Sequence, residues 1–356
     1  MNRWGDGVTC SAEIFAKKTL LTSPSPIADT RTPAHGSRAR ATLYTRFPEL
    51  LAGSDPVVNS ILVLFDGGAM GEIVFAAKVT HVPTMYLSEQ DGPLKGCREP
   101  AIASHRRMGE MVRAAGADTI VVLDTHWLVN SGYHVSASPV FKGRFTSHEF
   151  PHFIKDLDYE YRGNVALGAA IAARATARGV HTRAHHTESL TLEYGTLVPL
   201  RYQNADSALR VVSVAAWCMK AELEESRIFG AALAEAVAAS DSKVALLASG
   251  SLSHLLWPNR SSESGTFKIS SKFNEAVDRL VLDLWAQGRI AEFLEILPEY
   301  ARHCNGEGGM HDTAMLFGAL GWDAYRGRGE PLCDYFPSSG TGQVNVVFTP
   351  PARRAV

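Results

Sequence analysis

From Met70 onward the apolar residues fall into two alternating textures. Short runs rich in β-branched residues, Glu72–Thr80, Asp118–Leu123, Leu209–Ala215 and Lys243–Ala248, predict buried strands. Between them Ala101–Ala115, the Ala-rich Val165–Arg178 and Ile228–Ala239 carry helical periodicity. This βαβα order predicts an α/β fold with a mostly parallel sheet and helices on both faces. Beyond a turn at Ser251 the pattern predicts two helices, roughly Ser271–Gln287 and Ile290–Tyr300. A Gly-rich turn at Asn305–Gly309, a helix from about His311 to Leu320 and a closing strand Gln343–Phe348 follow. No internal repeat is visible.

Residues 1 to about 69 differ in texture. Ser, Thr, Pro, Arg and Gly dominate stretches such as Thr22–Arg40, with no sustained period, so this segment is expected to be a disordered extension or a start-site artefact with Met70 as the true initiator. The expected single catalytic domain spans 70–350. Composition narrows the function classes: a formal net charge of −2 and no Lys/Arg block interleaved with aromatics argue against a nucleic-acid partner. The five cysteines are scattered, with no Cys-x-x-Cys pair, which argues against a disulfide framework or a thiolate zinc site and for reduced thiols in a cytoplasm. Near the N-terminus the most apolar short run, Ile61–Phe65, is far below the ~20 residues a membrane span needs, and no signal-peptide pattern is present.

The histidines carry the chemical information. His81 follows directly on the first predicted strand and His126 directly on the next. In an open parallel sheet the ligand crevice lies at the carboxyl ends of the strands, so the two imidazoles are expected to converge. His254 again lies just past a strand, after Gly/Ser residues that allow close backbone approach. A lone strand-end histidine is usually a hydrogen-bonded loop residue; three in matching positions make a metal site the better reading. A charge-balancing carboxylate is available in Gly306-Glu-Gly-Gly-Met-His-Asp312: Asp312 in a first helical turn, where the dipole also favours it, or Glu307, with the longer reach. Two histidines and a carboxylate suit non-haem Fe(II) or, equally, Zn(II).

The segments Ala77–Tyr86, Asp124–Asn130, Leu192–Pro199, Leu247–His254, Gly306–Asp312 and Phe336–Asn345 together resemble the class III extradiol ring-cleaving dioxygenases. This is the superfamily of protocatechuate 4,5-dioxygenase, and the resemblance is strongest to its 3,4-dihydroxyphenylacetate (homoprotocatechuate) branch. It implies Fe(II) bound by His81 and His126, His254 as the acid/base histidine, and a small catechol plus O2 as substrates. The superfamily's third ligand is usually a glutamate at the start of a late helix, a position that aligns with Asp312 here, so Asp312 and Glu307 stay as alternatives. Many superfamily members have His where this chain has Tyr194; the resemblance suggests that aminophenol-cleaving relatives use Tyr there, as a hydrogen-bond donor.

The substrate's side arm needs its own contact, for which His152, His185 and Arg201 are the candidates; the bland readings are loop or core histidines and a surface ion pair. The expected protein is thus an Fe(II) dioxygenase acting on 3,4-dihydroxyphenylacetate, in the cytoplasm and as a homo-oligomer. The rivals are an enzyme for 2-aminophenol or another substituted catechol, a non-catalytic binding module on the same fold, and a zinc hydrolase.

Overall fold

The computed structural model describes residues 70–350, so the expectations for residues 1–69 lie outside the described residues. Strand β2 (Thr119–Asp124) is buried at every position, and β1 (Glu72–Val79), β7 (Arg210–Ala215) and β8 (Lys243–Ser249) are nearly so. Strands buried on both faces are what a parallel sheet under two helical layers requires, and these four run parallel in the spatial order β7-β2-β8-β1. The pleat divides β2 between two cores: Val121 and Leu123 pack on one face, Ile120 and Val122 on the other.

The sheet has eight strands, in the order β6-β3-β7-β2-β8-β1-β12-β9, and its flanks break the parallel pattern. β3 (Tyr133–Ser136) pairs antiparallel with β7 and parallel with β6 (Thr182–His185), while β12 (Val346–Phe348) pairs antiparallel with β1 and with β9 (Gly329–Pro331). The hairpin β4 (Val140–Phe145) and β5 (Leu157–Arg162) stands apart from it. A second small hairpin joins β10 (Phe336–Ser338) to β11 (Thr341–Gln343). The sequence pattern missed these short strands, and the expected closing strand Gln343–Phe348 is divided between β11 and β12.

One face of the sheet is covered by α3 (Val165–Ala177), α5 (Leu223–Ala238), α6 (Lys272–Ala286), α7 (Ile290–His303) and α8 (His311–Leu320). The other is covered by α2 (Glu99–Ala114) and α4 (Tyr194–Gln203), with the short α1 (Thr84–Ser88) beside them. α5 begins five residues before the expected Ile228, because Glu222 and Glu225 form a reciprocal capping box there.

Candidate metal centre and active site

Three chain segments converge at the carboxyl ends of the central strands. His81 lies two residues past β1 and His126 two past β2; both neighbour β8 in the sheet. Thr80 anchors the first segment at every polar atom: its N–H donates to Asn345 Oδ1 (2.9 Å), its Oγ1 to Gln343 Oε1 (2.5 Å), and its carbonyl accepts from His105 Nε2 (3.0 Å). In the second, Asp124 Oδ1 accepts the backbone N–H groups of His126 (2.7 Å) and Trp127 (3.2 Å), and its Oδ2 accepts from Thr196 Oγ1 (2.6 Å). Gly195 makes that packing possible, because a Cβ there would lie 2.2 Å from Asp124 Oδ1.

The carboxylate comes from the turn before α8. Gly308, Gly309 and Met310 all have left-handed backbone, with φ of 53°, 63° and 62°. That reversal suits glycine, strains Met310, and leaves Glu307 projecting into the sheet end. Ser251, through both N–H and Oγ, donates to Glu307 Oε2, and Thr125 Oγ1 donates to Oε1 (2.9 Å).

His81 Nε2 and His126 Nε2 lie 3.0 and 2.9 Å from Glu307 Oε1, and the three ligand atoms are all within 4.8 Å of one another. The outer contacts fix the tautomers. Ser249 Oγ donates to Gly195 O (2.5 Å) and must therefore accept from His81 Nδ1 (2.9 Å), while His126 Nδ1 donates to Glu149 Oε1 (3.0 Å). Each imidazole thus turns a bare Nε2 toward Glu307, the protonation pattern expected of metal-bound histidines with outer hydrogen-bond partners. Lone pairs at such distances repel unless a cation lies among them. A proton competes with the metal for the bare Nε2 of His126: burial alone would lower its pKa, but hydrogen bonds and charge from Glu149 and Glu307 raise it to about 10, so a bound metal has to displace that proton. Glu307, whose burial would raise it, is held well below the usual carboxylate range, chiefly by His81 and His254. The site seeks positive charge, and its donor set fits a divalent transition metal with open positions.

Asp312, the other carboxylate that the sequence offers, stands outside the cluster of His81, His126 and Glu307. Its Oδ2 pairs with Lys78 Nζ at 2.5 Å, both groups being buried, on the far side of Gly250, where a Cβ would meet both. Lys78 sits in the fully buried part of β1 and needs that carboxylate, since a buried cation without a partner costs several kcal/mol.

Tyr194 and His254 border the same pocket as the cluster. Tyr194 hydroxyl lies 2.9 Å from His126 Nε2 and 3.3 Å from Glu149 Oε2, and burial raises its pKa, so it remains a phenol able to donate. The His254 ring makes no hydrogen bond to any described residue, and burial lowers its pKa, leaving it neutral and free to accept a proton at neutral pH. His152 is exposed against the Phe153 ring, and His185 pairs with His134 at 2.7 Å; neither borders the pocket. Arg201 bonds Glu89 (2.7 Å) in an exposed ion pair. Sequence reasoning missed Glu149, at the tip of the β4–β5 hairpin in a segment with no periodicity. It also missed Lys78, which its place inside an apolar run could have exposed as a buried cation in need of a partner.

Residues 75–349 match the model of a family described as the catalytic LigB subunit of aromatic ring-opening dioxygenase. The chain belongs to that family. It is an extradiol ring-opening oxidoreductase, and the cluster of His81, His126 and Glu307 is a candidate site for the metal such a dioxygenase needs. Among curated proteins it is 48% identical over 259 residues to the 3,4-dihydroxyphenylacetate 2,3-dioxygenase of Escherichia coli, covering 73% of this chain and 94% of that one. It is 25% identical over 252 residues to the β subunit of a 2-aminophenol 1,6-dioxygenase of a Pseudomonas species, covering 67% of this chain and 82% of the relative. A solved structure of an uncharacterized protein from Escherichia coli K12 shares the fold, with a TM-score of 0.51 at 16% identity over 77% of this chain and 98% of that one. Among the described residues no helix is long and apolar enough to cross a membrane.

Proposed function

We propose that the protein is an Fe(II)-dependent dioxygenase that opens 3,4-dihydroxyphenylacetate to 5-carboxymethyl-2-hydroxymuconate semialdehyde. The observation that carries this reading is the convergence of His81, His126 and Glu307, all held by outer partners, beside a free histidine in the pocket of a ring-opening family. The substrate assignment is supported by the relative at 48% identity.

Ferrous iron held by these three residues would supply the Lewis acidity and the electrons that let a catechol react with O2. The protein's own groups do the rest. His254, neutral and unpartnered, takes a proton from a substrate hydroxyl and returns one to the opening ring. Tyr194 donates its hydroxyl hydrogen to oxygen at the reacting face and Glu149 fixes the orientation of His126. Phe150, Phe153 and Leu256 on the pocket wall offer apolar surface to the aromatic ring and limit the entry of water.

The test is anaerobic loading with Fe(II) followed by addition of 3,4-dihydroxyphenylacetate and O2. Stoichiometric O2 uptake with a yellow ring-fission product is expected. Absence of uptake with every catechol tried would refute the reading, and faster turnover of 2-aminophenol would reassign the substrate.

A further inference from the structure

The described core buries two permanent cations, Lys78 and Arg98. Lys78 has Asp312. Arg98, only 5% exposed, has no carboxylate within ion-pair distance among the described residues. Its guanidinium carbon lies 4.8 Å from the Phe267 ring centroid and 4.9 Å from that of Phe336, so an aromatic ring stands close on each of two contacts. Its Nε donates to Thr84 Oγ1 (2.9 Å) and its Nη2 makes a long contact to Thr266 O (3.5 Å). Burial lowers its pKa to about 10, which leaves it charged at neutral pH.

Ring faces soften the cost of burying such a cation but supply no countercharge. The connection to the pocket is Thr84. This residue borders the pocket together with Ser338 and Ser339, and Phe336, which contacts Arg98, belongs to the strand that carries Ser338. Because Thr84 Oγ1 accepts from Arg98, its own hydrogen is free to be donated, and no described residue accepts it. A hydroxyl donor polarised by a buried cation, on the wall of the pocket, is a place for a carboxylate.

We infer that the pocket recognises an anionic side arm on its aromatic substrate through the Thr84 hydroxyl, with Arg98 behind it supplying the positive charge. This rests on the proposed function, which gives the substrate a carboxymethyl arm. Thr84 is the binding residue and Arg98 a positioning residue that sets its polarity.

The experiment compares anaerobic equilibrium binding, and then kcat/KM, for 3,4-dihydroxyphenylacetate and its uncharged amide in the Fe(II)-loaded protein and in Thr84→Val, Arg98→Met and Arg98→Lys. Thr84→Val, close in shape, should weaken the acid ~10-fold or more and leave the amide within about 2-fold, as loss of a hydrogen bond to a charged group predicts. Arg98→Met should abolish the preference for the acid, and Arg98→Lys should recover part of it. Should Arg98→Met fail to fold, Thr84→Val alone still decides. Equal weakening of acid and amide, or an unchanged acid, would overturn the inference while leaving the proposed function standing. A wild type that opens other catechols but does not bind the acid would overturn both.

Discussion

At the scale of single residues, the site is organised by where protons sit. Ser249 and Glu149 each take the Nδ1 hydrogen of one histidine, so that both Nε2 atoms face Glu307. His254 is the exception, with no hydrogen bond from its ring to a described residue and with burial keeping it neutral. A group that moves protons without holding the metal should separate the two functions. In His254→Phe, iron content after anaerobic loading should equal that of the wild type while kcat falls about 10²- to 10⁴-fold, the usual contribution of a positioned acid/base. Loss of iron in this variant, measured by chelator assay, would place His254 among the ligands instead.

At the scale of elements, the geometry depends on a few close approaches between the strand-end loops. Gly195 lets the first turn of α4 lie against Asp124, whose carboxylate holds the turn that bears His126. Gly195→Ala would drive a methyl group into that carboxylate. We expect at least a 10-fold loss of kcat/KM and weakened metal retention, with the far-ultraviolet circular dichroism unchanged; wild-type activity would show that the turn does not depend on Asp124. The sequence made the central strands and their end-on histidines legible because β1, β2, β7 and β8 are buried on both faces and so appear as continuous apolar runs. β3, β6 and β9–β11 are only three or four residues long, too short for a period to register. The choice between Asp312 and Glu307 was illegible for a different reason. It turns on three successive left-handed residues, Gly308–Met310, and on a Lys78 side chain 234 positions away from Asp312 in sequence.

At the scale of the whole molecule, the buried polar groups that brace the site also link it to stability. His105 is fully buried, donating through Nε2 to Thr80 O, and its Nδ1 lies 3.0 Å from Gln203 Nε2, an arrangement that suits the neutral ring because a protonated Nδ1 would face a second donor. Burial lowers its pKa to about 3, from an ordinary value of 6.5. The stability this neutral ring confers is therefore complete above pH 6.5 and is lost as pH falls from there toward 3, by up to ~1.4 kcal/mol per unit. Between pH 7 and pH 5 the wild type should lose roughly 2 kcal/mol more than His105→Gln in urea unfolding followed at both values. Parallel losses in the two proteins would show that His105 is not held neutral.

The central claim is that His81, His126 and Glu307 together hold the metal and that Asp312 does not. Iron content after anaerobic Fe(II) loading and desalting, measured on the wild type and on His81→Ala, His126→Ala, Glu307→Ala and Asp312→Asn, tests it most directly. About one iron per chain is expected in the wild type and in folded Asp312→Asn, and close to none in the other three. Full iron in Glu307→Ala, with loss in a folded Asp312→Asn, would contradict the account.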